Sequence, residues 1–397
     1  MRILTCVHTM EVGGSQINAI EIAGALAALG HEAIVYGPPG DLVPMVAEQG
    51  LRFIAAPPKG SRLSLRSMRR MRAVVRELGI DVVHGYEWSP TMDAAYGPYL
   101  FAGTPIVATV LSPIVPDFVP RFPLVVGVVE LAEEESARRP EVHLIEPPVD
   151  TARNSPAVDV AAARARFSLE PDDIAVVTVA RLVEALKGEG LRTAIEAIGR
   201  LGSSARCRLI VVGDGPLRAE LQAAANAVNV GSGRPLVTLT GQLLDPRDAY
   251  AAADIVLGMG SSALKGMAFG KPLVVQGEGG FWRLLTAETL PFFLDGGWYA
   301  RGDGGDGAAG LLEVLQPLAA EPARWASLGA LGRQVVTERF SLEAAGRRQV
   351  EIYEGVVRRR RDGLVARLRM LAHPTLRYAI FRAALARQMV GRVLRRR

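Results

Sequence analysis

Arg181 and Lys187 stand six residues apart in VARLVEALKGEG, directly after an apolar, strand-like run. Two fixed cations at that spacing suit a diphosphate, holding it and stabilising the charge that develops on it as a leaving group; two solvated surface charges are the plain alternative. Gly13-Gly14-Ser15, in EVGGSQINAI, also follows such a run. There the glycines admit a ligand close to the backbone, Ser15 is placed to cap the following helix, and the helix amides form a phosphate seat. A tight turn would need the same glycines. In VVGDGPLRAEL, Gly213 and Gly215 make a tight connection from strand to helix that Asp214 can cap. Finally, in GMGSSALKGMAFGKP, Gly260, Ser261 and Ser262 open a short helix that Gly270 ends, with Lys265 expected in its first turn. Ser262-x-x-Lys265 has the spacing of a capping box whose last member is normally Glu or Gln. A cation there either reaches to solvent or, with the free helix amides, faces an anion.

Such residues act together only if strands deliver them to one edge. The apolar runs ILTCVH, EAIVYG, LRFIAA, DVVHGY, PIVATV and PLVVGVV alternate with helical patterns such as QINAIEIAGALAAL, the rhythm of βαβ units around a buried parallel sheet. After the Pro-containing EPPVDTARNSP the rhythm restarts with AVVTVAR, RLIVVG, LVTLTG, DIVLGM and PLVVQG. This reads as an α/β chain of two Rossmann-like doubly wound domains facing a cleft, residues 1–155 and 156–345, followed by a helix and basic tail over 346–397. Ligands of such sheets bind beyond the carboxyl ends of the strands, where the motifs above should converge. GDGGDGAAG, residues 302–310, resembles a single turn of a calcium-binding glycine repeat; lacking tandem copies, it is read as a surface loop.

With 397 residues, 49% of them apolar and 22% charged, the chain can fill two large cores. Its two cysteines, Cys6 and Cys207, fit neither a disulfide framework nor a metal spacing. No apolar run has the form of a signal peptide or the length of a membrane span, so a reducing cytoplasm is the expected location. The histidines form no metal-ligand spacing, the Gly13-Gly14 turn is not GxGxxG, and no GxSxG elbow or Walker loop appears; metal-independent group transfer from an activated donor fits the residues best.

Taken in order, VARL…LKG, VVGDGPLRAEL, LTGQL, AADIVL and MAFGKPLVV resemble the retaining family 4 glycosyltransferases of two-domain GT-B fold. The resemblance covers roughly residues 1–357 and is strongest over 176–277. It implies a nucleotide-diphosphate sugar as substrate, no cofactor, and transfer with retention to a hydroxyl of a glycan, lipid or small molecule entering from the N-terminal side. By the same resemblance Arg181 and Lys187 match the diphosphate pair, the Gly13-Gly14 loop approaches the phosphates, the backbone at Gln242 and Leu243 matches the base-binding turn, and His84 matches a histidine near the cleft. A structural histidine at a strand end is the other reading of His84. Three positions depart from the family: the loop bearing its first C-terminal glutamate is short, its ribose-binding glutamate aligns with Lys265, and its second N-domain histidine aligns near Leu111. Glu278, in EGGFW, is the candidate replacement carboxylate. These departures keep two alternatives open, a noncatalytic nucleotide-sugar-binding relative or partner subunit and a GT-B nucleotide-sugar epimerase.

The net charge of +5 conceals an asymmetry, because residues 358–397 carry 13 Arg and one Asp, a local +12. An anionic membrane surface at the inner face is the partner this tail fits. Nucleic acid is not expected, because no recognition module accompanies the charge. Arg377, Arg382, Arg387 and Arg392 recur every five residues, which winds charge around a helix and favours loose electrostatic docking over insertion. His373-Pro374 is expected to break or kink that helix.

Overall fold

The computed structural model describes residues 1–397 except 59–62, 203–205, 244, 360–361 and 395–397, and leaves the side chains of 386 and 388–394 undescribed. The chain divides into two compact units, Met1–Pro147 with Leu342–Arg397, and Pro148–Ser341.

In the first unit seven strands form one sheet: β1 Arg2–Cys6, β2 Glu32–Gly37, β3 Arg52–Ala55, β4 Val82–Tyr86, β5 Ile106–Val110, β6 Leu124–Val126 and β7 Val142–Leu144. Their order is β3-β2-β1-β4-β5-β6-β7, and every pairing is parallel. A sheet covered on both faces needs apolar residues at consecutive positions, and β4 and β5 are buried along their whole length. Ile3 faces one core and Leu4 the other, as do Val82 and Val83.

The second unit holds β8 Ile174–Val179, β9 Cys207–Val212, β10 Val237–Gly241, β11 Ile255–Gly258, β12 Leu273–Gln276 and β13 Trp282–Leu284. They are ordered β10-β9-β8-β11-β12-β13, parallel except for the final β12/β13 pair. Val176 and Val177, Leu209 and Ile210, and Ile255 and Val256 each split between the two cores of this sheet. Both free cysteines are buried in their sheets. Of the glycine-rich stretch at 302–310, Gly307 already belongs to the helix Gly307–Ala320, whose first amides at Ala308 and Ala309 are capped by Asp306.

The C-terminal segment differs from its reading as a separate helix and tail. The helix Leu342–Arg358 returns to the first unit and packs on the helix Gly14–Ala28, carrying Tyr353 and Ile352 into that core. The helix Leu364–Leu394 follows and runs on through Pro374, so the His-Pro pair does not break it. It packs on the first unit through Leu371, only 3% exposed, and through Tyr378, whose ring lies 5.3 Å from that of Phe118.

Candidate functional site

In each sheet the strand order reverses beside the first strand of its unit, between β1 and β4 and between β8 and β11. Loops that leave the carboxyl ends on either side of such a reversal diverge and open a crevice. In the second unit the flanking segments are 180–187 after β8 and 259–265 after β11, with 277–280 following on β12. Arg181, Lys187, Gly260, Ser261, Ser262, Lys265 and Glu278 therefore share one edge of the sheet. Gln242 is exposed and Leu243 half-buried at the end of β10, farther along the same edge.

The charged groups of this edge are of two kinds. Its carboxylates are occupied: Glu184 and Glu220 hold Arg192, Asp214 holds Arg218 and accepts the Gly215 amide, and Glu189 accepts two backbone amides. The Tyr299 hydroxyl donates to Glu278 Oε2 at 2.6 Å, and burial beside that carboxylate pushes the phenol up to about 12. Arg181, Lys187 and Lys265, by contrast, make no ion pair or side-chain hydrogen bond among the described residues. Burial lowers Lys187 to about 8, so its charge is held without a compensating partner. A half-buried cation with no counter-charge is a site that an anion would complete.

The segment bearing Lys187 is also strained. Leu186, which is 46% exposed, takes φ 65°, a left-handed conformation that costs a non-glycine residue on the order of 1 kcal/mol or more. Two side chains fix the segment to the next loop: Gln276 Nε2 donates to the Lys187 carbonyl at 3.4 Å, and Glu189 receives Gly279 and Gly280. Glu189 and Gln276 were not singled out by sequence. The signal for Glu189 lies in LKGEG, a carboxylate two residues after the lysine, where its charge would oppose an anionic ligand if it were not turned onto amides.

Gly213 and Gly215 serve a positional role. A Cβ on Gly213 would lie 1.9 Å from the Ala180 carbonyl, and one on Gly215 2.4 Å from that of Leu182. The Gly213 amide donates to Gly241, and Leu182 and Asp214 are joined through their backbones. The glycines thus press the β9 loop against 180–182 and fix the base of Arg181.

Two details of the β11 loop differ from the sequence reading. The helix spans Ser261–Ala268, so Lys265 is its fifth residue and not part of the first turn, and Gly260 occupies the cap position. Ser262 is already helical, and its hydroxyl bonds the Met259 backbone, so the pair forms no capping box. Helical side chains lean toward the N-terminus, which directs Lys265 back along the preceding turn.

In the first unit Gly13 caps the helix Gly14–Ala28 without a side-chain cap; Ser15 lies inside the helix, its buried hydroxyl unpartnered among the described residues. Gly13 has φ −159°, an extended conformation open to any residue, and a Cβ on Gly14 would meet nothing within 4 Å. The turn itself does not require the glycine pair, and Gly14 leaves open space at the helix start.

His84 is fully buried. Nδ1 lies 2.6 Å from the Tyr353 hydroxyl and Nε2 2.6 Å from Thr109 Oγ1, and desolvation lowers the imidazole to about 3. It is a neutral residue that ties β4 to β5 and to the returning helix, and it presents no free nitrogen to a ligand. At the end of β4, Glu87 is the charged group that sequence missed: 6% exposed, at φ 67°, it accepts Leu111 N at 3.1 Å and Ser112 Oγ at 2.7 Å. Its signal is a carboxylate directly after the strand run DVVHGY.

With this geometry in place, the chain can be compared with known proteins. Residues 12–153 match the family model described as Glycosyltransferase Family 4, and residues 173–316 match Glycosyl transferases group 1. No curated protein sequence matches significantly. Among solved structures, a glycosyltransferase from Rickettsia africae is 15% identical with a TM-score of 0.71, covering 90% of this chain and 99% of its own. Anabaena HepE, solved in complex with UDP, is 15% identical with a TM-score of 0.67, covering 89% and 100%. The catalytic domain of Arabidopsis thaliana starch synthase IV, bound to ADP and acarbose, is 13% identical with a TM-score of 0.63, covering 90% and 100%. At these identities the likeness is one of fold.

Proposed function

The chain belongs to glycosyltransferase family 4 and has the GT-B fold, and from that premise we propose that it is a retaining, metal-independent hexosyltransferase acting on a nucleotide-diphosphate sugar. The observation that carries the reading is the contrast at the edge of the second sheet, where the carboxylates are neutralised and Arg181, Lys187 and Lys265 are not. Arg181 and Lys187 receive the donor diphosphate. When the bond between the anomeric carbon and the phosphate oxygen breaks, its electron pair leaves with the nucleoside diphosphate, and the two cations stabilise that charge. The acceptor hydroxyl bonds the anomeric carbon on the face the phosphate leaves. With His84 sealed and Glu278 held by Tyr299, its proton passes to the departing phosphate oxygen.

The donor base stacks at the Gln242-Leu243 turn, and Gly260, Ser261 and Ser262 lie against the sugar nucleotide. The capture of UDP by HepE supports a nucleoside-diphosphate donor. The acceptor is a hydroxyl of a glycan, a lipid or a small molecule. Residence in the cytoplasm, peripheral to the inner face of a membrane, agrees with the two free cysteines and the arginine-rich end of the chain.

A second reading, a relative that binds a nucleotide sugar without turnover, is favoured by Lys265 in the place of the ribose-binding glutamate. Thermal denaturation across a panel of nucleotide sugars, followed by assay of sugar release, separates the two. A donor present at 100 times its Kd adds ~2.7 kcal/mol to stability. Stabilisation with sugar release supports the transferase, stabilisation without release supports the second reading, and no stabilisation by any donor overturns both.

A further inference from the structure

The helix Leu364–Leu394 carries apolar side chains on its outward side as well as on the side that packs. The side that packs on the first unit joins Leu371, Met370 and the Tyr378 ring to polar contacts: Arg367 donates to the Tyr99 carbonyl at 3.1 Å, Arg377 pairs with Asp117, Thr375 bonds the Tyr96 hydroxyl at 2.7 Å, and the Leu63 amide donates to the Tyr378 hydroxyl at 3.3 Å. The outward side carries an aliphatic stripe, with the exposed Arg369 and Arg387 set among it. Val365, Leu368, Leu376 and Ile380 are 63%, 52%, 60% and 51% exposed, and with Ala372, Ala379 and Ala383 they recur at the three- and four-residue steps of one helix face. The five-residue spacing of the arginines does carry charge around the helix: Arg377 pairs with Asp117, while Arg387 is exposed on the outward side. Of the arginines read in this tail, Arg360, Arg361 and Arg395–Arg397 lie outside the described residues.

An exposed aliphatic stripe of this length calls for a partner. Net charge selects among the candidates. A second copy would bring two segments of +12 together, whereas an anionic bilayer offers both an apolar layer for the stripe and counter-charge for the arginines around it. No helix among the described residues is long and apolar enough to cross a membrane, which leaves a helix lying in the interface. We propose that the outward face of Leu364–Leu394 inserts partially into the surface of an anionic bilayer, Val365, Leu368, Leu376 and Ile380 entering the apolar layer. The proposal rests on the membrane reading above and replaces loose electrostatic docking with insertion. Deleting the tail is a poor test, because it would expose the surface that Leu371 and Tyr378 cover.

The test is sedimentation with vesicles of phosphatidylcholine, with and without phosphatidylglycerol, at low and high salt. It compares the full chain with its Leu368→Ser, Leu376→Ser, Ile380→Ser variant, whose changed positions face solvent. The wild type should bind the anionic vesicles and keep a measurable fraction bound at high salt, and the variant should partition at least about tenfold more weakly. Equal, fully salt-sensitive binding by both would overturn insertion while leaving electrostatic docking intact. Absence of vesicle binding by the wild type would overturn both. A wild-type dimer in sedimentation equilibrium that the variant dissociates, without vesicle binding, would assign the face to a second copy. Stabilisation of the variant by nucleotide sugars, measured on the same preparation, shows that it is folded and reports separately on the transferase reading.

Discussion

Both oxygens of the Glu189 carboxylate accept backbone amides from the loop after the neighbouring β12 strand, Oε2 from Gly279 at 2.9 Å and Oε1 from Gly280 at 2.6 Å. With Gln276 holding the Lys187 carbonyl, this fixes the lysine segment to the glycine loop at both ends. Charge-assisted bonds to amides are about twice as strong as neutral ones. Glu189→Ala should cost roughly 1–3 kcal/mol in urea denaturation and weaken donor binding, with Glu189→Gln intermediate because its amide NH₂ cannot accept. Unchanged stability and donor affinity in the alanine variant would mean that the clamp is incidental.

His84→Leu should destabilise the protein by about 2–4 kcal/mol, since it strands the Tyr353 and Thr109 hydroxyls, and should leave donor affinity of the folded protein unchanged. The pH dependence has a definite sign. The imidazole is held at about 3 in the fold against 6.5 when exposed, so between those values only the unfolded chain binds the proton. The associated stability is present above about pH 6.5 and lost as pH falls through that window. The leucine variant should therefore show a shallower acid loss. A donor-binding defect in a folded, stable His84→Leu protein would restore the histidine to the site.

How far the sequence reaches is clear from these two residues. The alternation of apolar runs and helical patterns was enough to place two doubly wound sheets and the loops at their carboxyl ends, because strand burial on both faces is written in consecutive side chains such as VVHGY and IVATV. Position on an edge was therefore legible, and so was the free state of Arg181 as a possibility. Whether a polar side chain at a strand end faces ligand or core was not: His84 is sealed by Tyr353, which lies 269 residues away in sequence. Glu189 was missed for the same reason, its partners being 90 and 91 residues distant. Pairing at that range depends on the register of whole elements, which local pattern does not encode.

Lys187 gives a second pH prediction. Burial lowers it from 10.5 to about 8, so between those values the unfolded chain binds a proton that the free folded protein does not. Its burial penalty applies fully below about pH 8 and is relieved as pH rises toward 10.5. A bound diphosphate favours the charged form. Donor binding near pH 8 to 8.5 should therefore take up protons, seen by calorimetry in buffers of different ionisation enthalpy, and Lys187→Met should abolish the uptake. Equal apparent enthalpies in both buffers for the wild type would remove the lysine from the diphosphate.

By the chain's resemblance to the family, Lys265 stands where a ribose-binding glutamate is expected. An ammonium can only donate, so it suits a phosphate or a sugar carboxylate better than the hydroxyl protons a glutamate receives. We expect Lys265→Ala to weaken binding of the preferred donor and Lys265→Glu to weaken it further. Alanine that is neutral for every donor would show the lysine to be solvent-directed, and improved affinity with glutamate would show that the ribose contact still fits.

The central claim, that unpaired cations at the carboxyl edge of the second sheet hold a donor diphosphate, is tested most directly by turnover of Arg181→Ala and Lys187→Ala at saturating nucleotide sugar. Each variant should keep the wild-type fold by circular dichroism and release sugar ~10²- to 10³-fold more slowly, the scale for losing one preorganised charge stabiliser. Wild-type turnover in either variant under those conditions would contradict the account.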